Sequence, residues 1–263
     1  MVKYKTILSI IEQSTNNPTT IKHSSFLYNI EGMLRQITDT KEEYKILKED
    51  IWRFYKETKK SDHEEIIFKS MDGTFFENRN GEKRSVSIPK EVEDFADGGG
   101  KLLYGIHNHP YVEETSSCFQ SEGDFRVMTY NGLKYSVSMG KDGIMITKNP
   151  NHRTDNEYRI LVSDGYKKTH KEIIEKFNKQ YAKEINDLKI KHDVDNKKYS
   201  ELEDYREEHQ ELFQNYCFNN INDFVSNLNE KFNTKEEDPI THVVWDISED
   251  CDCFYIPKSP RIY

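Results

Sequence analysis

The apolar residues of this chain change period near residue 64, and that change limits the folds open to it. Upstream, Tyr44, Leu47, Ile51, Phe54 and Tyr55 fall at mostly helical spacing within 42–56. Thr40 stands where an N-cap is needed, and Glu43 three residues on completes a capping box. The run 26–33 has the same character, so residues 1–60 read as a helical segment. From residue 64 the pattern is that of strands. Ile66-Ile67-Phe68 leads through the turn Asp72-Gly73 into Thr74-Phe75-Phe76, Asn80-Gly81 marks another tight turn, and Ser85-Val86-Ser87-Ile88 is a short strand closed by Pro89. Gly98-Gly99-Gly100 precedes a buried strand over 101–106, and a short helix is expected near Ser121. Residues 134–140 and 144–147 form a hairpin about the turn Asp142-Gly143. Helices and strands in this order give an α/β class.

Helical spacing then resumes. Ile173, Ile174, Phe177, Tyr181, Ile185 and Leu188 recur at three- and four-residue steps, as do Leu212, Phe213, Tyr216, Ile221, Phe224 and Leu228. Between them the stretch 192–211 is strongly polar. Two long antiparallel helices are expected, a hairpin that packs on the sheet domain or serves homo-oligomer or partner contacts through 165–232. Val243, Val244, Trp245 and Ile247 mark a strand returning to the main sheet. The expected division is therefore 1–60 helical, 61–150 a strand-rich core, 151–235 a long helical, coiled-coil-like region, and 236–263 a C-terminal strand and tail.

Composition narrows the functions. Hydrophobic residues are 35% against 32% charged, which fits a modest core with long solvated helices. The net charge of -9 argues against a nucleic-acid partner, since such proteins display a basic face. No apolar run approaches the roughly 20 residues that span a bilayer. The first eleven residues carry too short an apolar stretch, and no small-residue cleavage site, for a signal peptide; they read as folded. Four scattered cysteines (Cys118, Cys217, Cys251 and Cys253) do not make a disulfide framework, so the expected setting is reducing and cytoplasmic.

The chemistry concentrates in His107-Asn-His-Pro110 and Ser121-Glu-Gly-Asp124. Side chains two apart on a strand share a face, so His107 and His109 present two imidazoles at a strand end that Pro110 terminates. Asp124 falls in the first turn of the next helix, and a ten-residue loop can return it over that end. Two imidazoles and a carboxylate suit zinc with one position left for water. A lone His-x-His is more often a surface pair than a metal site; the adjoining proline, the Ser-x-x-Asp and an acidic strand start raise its weight. Cys118, in the loop between the motifs, reads as incidental, and Gly123 loosens the helix start.

These residues resemble the JAMM (MPN/JAB) metalloprotease signature, a glutamate followed by His-x-His-Pro and Ser-x-x-Asp. Asn108 between the histidines brings the chain nearest the RadC-like, phage-associated prokaryotic branch. The resemblance covers about 62–148 and implies a cytidine-deaminase-like, three-layer sheet domain, here with an added helical hairpin. It implies His107, His109 and Asp124 as ligands of Zn2+, Ser121 as a hydrogen-bond donor to the oxyanion or the metal's water, and a glutamate as general base. Glu64 and Glu65 both open the first strand, and only one can face the metal; Glu64 fits the family spacing better, and Glu77 is a distant third. The loop 111–120, with Glu113 and Glu114, departs from the family in length and in lacking a proline before the serine.

The activity this implies is a zinc metallopeptidase or isopeptidase acting on a peptide or protein. The sequence leaves open whether that substrate is a ubiquitin-like tail, a viral capsid precursor or a cell-wall peptide. Two other readings stand beside it: a non-catalytic scaffolding module that binds through the helical region, and a RadC-like protein of DNA metabolism or mobile elements. An HNH nuclease is disfavoured because its three residues are not consecutive. Cys251-Asp-Cys253 is too tight for a zinc pair, Asp193 and Asp195 lack a calcium loop's glycine and distal glutamate, and His63 reads as a surface residue.

Overall fold

In the computed structural model the helical spacing of 42–56 becomes α1 (Lys41–Thr58), with Leu47, Ile51 and Phe54 buried along one stripe. The structure describes residues 32, 34–83, 85–110, 118–140, 143–220, 226–228, 230–231 and 240–244. The expected features at 1–31, 111–117, 141–142, 221–225 and 245–263 lie outside them. Thr40 caps α1 by accepting from the Glu43 N–H at 3.1 Å. The other half of the expected capping box is different. Glu43 Oε2 accepts from the Asp39 N–H at 3.0 Å, because the carboxylate is drawn inward to Lys134 and to the Tyr135 hydroxyl.

The strand-period region forms β1 (Ile66–Ser70), β2 (Phe75–Asn78), β3 (Leu102–Asn108), β4 (Tyr135–Gly140) and β5 (Gly143–Lys148). The expected return strand is β6 (Ile240–Val244), antiparallel to β5. One six-stranded sheet results, in the order β2-β1-β3-β4-β5-β6. Only β3 and β4 run parallel, and their crossover contains the expected helix as α3 (Glu122–Asn131). The segment 85–88 is not a strand. It makes a single bridge, Glu82 with Ser85, and its alternation arises because Val86 and Ile88 turn toward a cavity on the sheet. A helix that the sequence pattern did not announce follows it, α2 (Lys90–Asp97).

Helices cover both faces of the sheet. Ile67, Tyr104, Ile106, Val137, Met139 and Ile146 pack under Leu47, Ile51 and Phe54 of α1. Ile66, Phe68, Leu102 and Met145 pack on the opposite side with Val92, Phe125, Met128 and Tyr158. A bulge assigns these faces. Lys69 pairs with Tyr104 and Ser70 with Leu102, so Leu103 is an extra residue in β3. The extra residue lets Leu102 share a face with Gly105 and His107 despite their odd spacing.

Beyond β5, the described residues from 156 to 219 form three α-helices where one long helix and the start of a second were expected. They are α4 (Asn156–Gln180), α5 (Ala182–Lys191) and α6 (Glu203–Asn219). The first starts ahead of 165 because Asp155 caps it, accepting from the Tyr158 N–H at 2.9 Å. The chain breaks at Tyr181, between α4 and α5. The polar stretch from 192 holds a turn only as far as 202, after which its remainder is helical. The last two, α5 and α6, run antiparallel: Tyr181 meets Tyr216, and His192 meets Tyr205. Among the described residues no helix is long and apolar enough to cross a membrane.

Candidate metal centre

The parallel β3–α3–β4 unit sets the N-terminus of α3 beside the carboxyl end of β3, the place where α/β sheets bind ligands. Both sequence motifs meet there. His107, paired with Ile66 and Ser138 in the flanking strands, is 5% exposed. His109 lies just past the strand, and its N–H donates to the Met139 carbonyl at 2.7 Å. The two Nε2 atoms are 3.2 Å apart. Asp124 Oδ1 is 3.2 Å from His107 Nε2, and the three ligand atoms lie within 4.8 Å of one another.

Ser121 fixes the carboxylate. As N-cap of α3 its hydroxyl oxygen accepts from the Asp124 N–H at 3.4 Å. In return Asp124 Oδ2 accepts from the Ser121 N–H at 2.6 Å and from its hydroxyl at 2.8 Å. With Oδ2 occupied, Oδ1 is the oxygen turned to the histidines. The hydroxyl expected to serve an oxyanion therefore grips a ligand in this arrangement.

The donor geometry fits a divalent cation. Burial pushes the His107 pKa below the ordinary histidine value, Asp124 opposes that shift and His109 adds to it, and the ring also hydrogen-bonds the Val137 backbone. A neutral ring whose other nitrogen donates to a backbone carbonyl offers only a lone pair at Nε2. In that state His107 Nε2 and the Asp124 oxygen 3.2 Å from it would be two acceptors that a cation between them would reconcile. Two atoms each bound at about 2.0 Å to a tetrahedral zinc stand about 3.3 Å apart. Both 3.2 Å separations agree with that edge length.

Register separates the two glutamates. Glu64 lines a 220 Å³ cavity together with His107, Ser121 and Asp124. Glu65 faces the α1 side of the sheet, where its Oε2 accepts from Arg79 Nη1 at 2.9 Å. Arg79 also binds Glu57 at 2.8 Å and Glu77 at 3.0 Å, and its guanidinium lies 5.2 Å from the centre of the Phe54 ring. Glu77 is thus held away from His107, His109 and Asp124. The His63 ring bonds Asp62 at 2.9 Å and the Arg79 carbonyl at 3.0 Å.

One supporting residue escaped the sequence reading. Gln120, 1% exposed, anchors the segment ahead of Ser121 to the sheet. Its Nε2 donates to the Ser136 carbonyl at 2.9 Å, and its Oε1 accepts from the Thr147 hydroxyl at 2.5 Å. The Ser138 hydroxyl donates to the Cys118 carbonyl, and the Cys118 thiol is buried in the apolar core rather than grouped with the ligands. A lone glutamine before a serine carries no signal that it will meet strands 16 and 27 residues away. No protein-family model, curated protein or solved structure matches the chain, so the reading of this site rests on its own geometry.

Proposed function

We propose that the chain is a zinc-dependent hydrolase of amide bonds, a metallopeptidase or isopeptidase of the JAMM type. The observation that carries the proposal is the convergence of His107, His109 and Asp124 within 4.8 Å, with Glu64 lining the cavity that His107 and Asp124 also line. Two imidazoles and one carboxylate leave a fourth tetrahedral position open, as catalytic zinc sites do and closed structural sites do not. Zinc held there would polarise the scissile carbonyl and lower the pKa of a bound water to about 7.

The chain's own groups supply the proton transfers. Glu64 takes a proton from the attacking water and delivers it to the departing nitrogen, so that an amine rather than an amide anion leaves. Ser121 exchanges its hydroxyl bond to Asp124 for one to the carbonyl oxygen as negative charge develops there. Asp124 keeps the Ser121 N–H at Oδ2 during that exchange, so the ligand is not released. The substrate class is a peptide or protein.

Metal analysis and a peptide library test the proposal together. Chelator-treated protein should take up one zinc per chain and rise in melting temperature. His109→Ala should lose the metal, whereas Glu64→Gln should keep metal and fold but lose cleavage of quenched fluorescent peptides. Wild-type protein that neither binds zinc nor responds to it in melting would overturn the proposal. So would a Glu64→Gln variant that cleaves at the wild-type rate.

A further inference from the structure

One buried side chain joins the metal ligands to the glutamate. Asn108 stands between His107 and His109 and is fully buried. Its Oδ1 accepts from the Glu65 N–H at 2.7 Å, and its Nδ2 donates to the His63 carbonyl at 3.1 Å. Those two partners belong to the peptide units on either side of the Glu64 Cα. Holding both planes fixes φ and ψ at Glu64, and with them the direction of its Cα–Cβ bond.

Other contacts close on the same short stretch. The Asn108 N–H donates to the Glu65 carbonyl at 3.2 Å, and the Glu64 N–H donates to the Glu82 carbonyl at 2.8 Å. At Gly81 a Cβ would stand 2.0 Å from the Glu64 carbonyl oxygen, so only glycine lets that loop approach. Glu64 precedes β1, where a chain end would ordinarily fray, yet its backbone is held on every side. The ligand pair and the base are separated by more than 40 residues of sequence, and the Asn108 amide is the side chain that spans them.

We infer that Asn108 is a positioning residue for Glu64: it couples the placement of the carboxylate to that of the two histidines. This rests on reading Glu64 as the base. In that role the middle residue of His-Asn-His sets where the carboxylate meets the metal's water, while the flanking residues set where the metal sits.

Cobalt(II) alone tests this, because its visible bands report the geometry and hydrogen bonding of its ligands without a substrate. The wild type and Asn108→Ala should bind one Co2+ each, with dissociation constants within about threefold. Glu64→Gln should change the spectrum, Asn108→Ala should reproduce that change, and the double variant should add nothing to it. Asn108→Asp keeps the acceptor for the Glu65 N–H and exchanges only the donor; it guards against misfolding of the alanine variant and should give an intermediate spectrum at an unchanged far-UV circular dichroism. An Asn108→Ala spectrum identical to the wild type, where Glu64→Gln differs, overturns the inference. Loss of Co2+ by Asn108→Ala to the extent seen in His109→Ala also overturns it, since Asn108 would then hold the ligands instead of the base. Failure of the wild type to bind Co2+ would be a different result, one that removes the metal reading itself.

Discussion

Replacing Gln120 by alanine tests how Asp124 is brought to the histidines. The change removes the bonds to the Ser136 carbonyl and the Thr147 hydroxyl, plus a longer contact of 3.3 Å to the Ser136 hydroxyl. Each net hydrogen bond of this kind contributes about 1 kcal/mol. The vacated volume of a buried carboxamide adds about another 1 kcal/mol through lost contacts. The total is about 3 kcal/mol, which for a chain of this length lowers Tm by about 6–12 °C. The damage should also be directional. The segment 118–121 would loosen from β4 and β5, so zinc affinity should fall although no ligand has changed. Urea unfolding of the zinc-free protein and competition with a chromophoric chelator measure the two effects separately. A double-mutant cycle with Thr147→Val should be non-additive by about 1 kcal/mol, since both single changes remove the same bond. A Gln120→Ala protein with a Tm within 2 °C of wild type and unchanged zinc affinity would refute this reasoning.

Other outcomes follow from neighbouring contacts. Glu65→Gln weakens one of the three carboxylate bonds of Arg79 and should cost about 1 kcal/mol in thermal or urea unfolding, with zinc binding and cleavage retained; loss of cleavage there would exchange the roles of Glu64 and Glu65. Ser121→Ala removes the cap of α3 and the hydroxyl grip on Asp124, so about 1 kcal/mol of stability and about tenfold in zinc affinity should go, both read by titration calorimetry and melting. At Asp39 and Glu43 burial raises the pKa, but bonds from Lys134, with Lys148 at Asp39 and with the Asp39 N–H and Tyr135 hydroxyl at Glu43, outweigh it and hold both below the ordinary values of 3.8 and 4.5. The unfolded chain therefore binds more protons than the folded one as pH falls. Stability from this cluster is present above those ordinary values and is lost as pH falls through the folded ones. Lys134→Met leaves the buried Glu43 carboxylate without its cation, held only by the Asp39 N–H and the Tyr135 hydroxyl; it should cost about 3 kcal/mol at neutral pH and flatten the acid limb of the Tm profile.

What the sequence revealed depended on how local the causes are. The helix α1 was legible because Leu47, Ile51 and Phe54 repeat on one stripe and Thr40 caps it. The candidate metal group is legible because strand alternation joins His107 to His109 and a helix cap joins Ser121 to Asp124, all within short spans. Glu64 and Glu65 are harder to tell apart, because adjacent residues at a strand start look alike until the register against β3 assigns each a face. The strand-like alternation of Val86 and Ile88 reflected burial over a cavity and not pairing. The helix α2 has few apolar residues and Pro89 at its N-cap without a side-chain cap bond, so its sequence announces little. Gln120 and Asn108 act across gaps that no short motif encodes. The break at Tyr181 falls where the apolar period continues from α4 into α5, so the pattern shows one helix where the backbone makes two.

X-ray absorption at the zinc edge measures the central geometry most directly. Zinc-loaded protein should show a first shell of nitrogen and oxygen at about 2.0 Å with the outer scattering of two imidazoles and no sulfur, and that signal should vanish in His109→Ala. Sulfur in the shell, a single imidazole, or a signal unchanged by His109→Ala would contradict it.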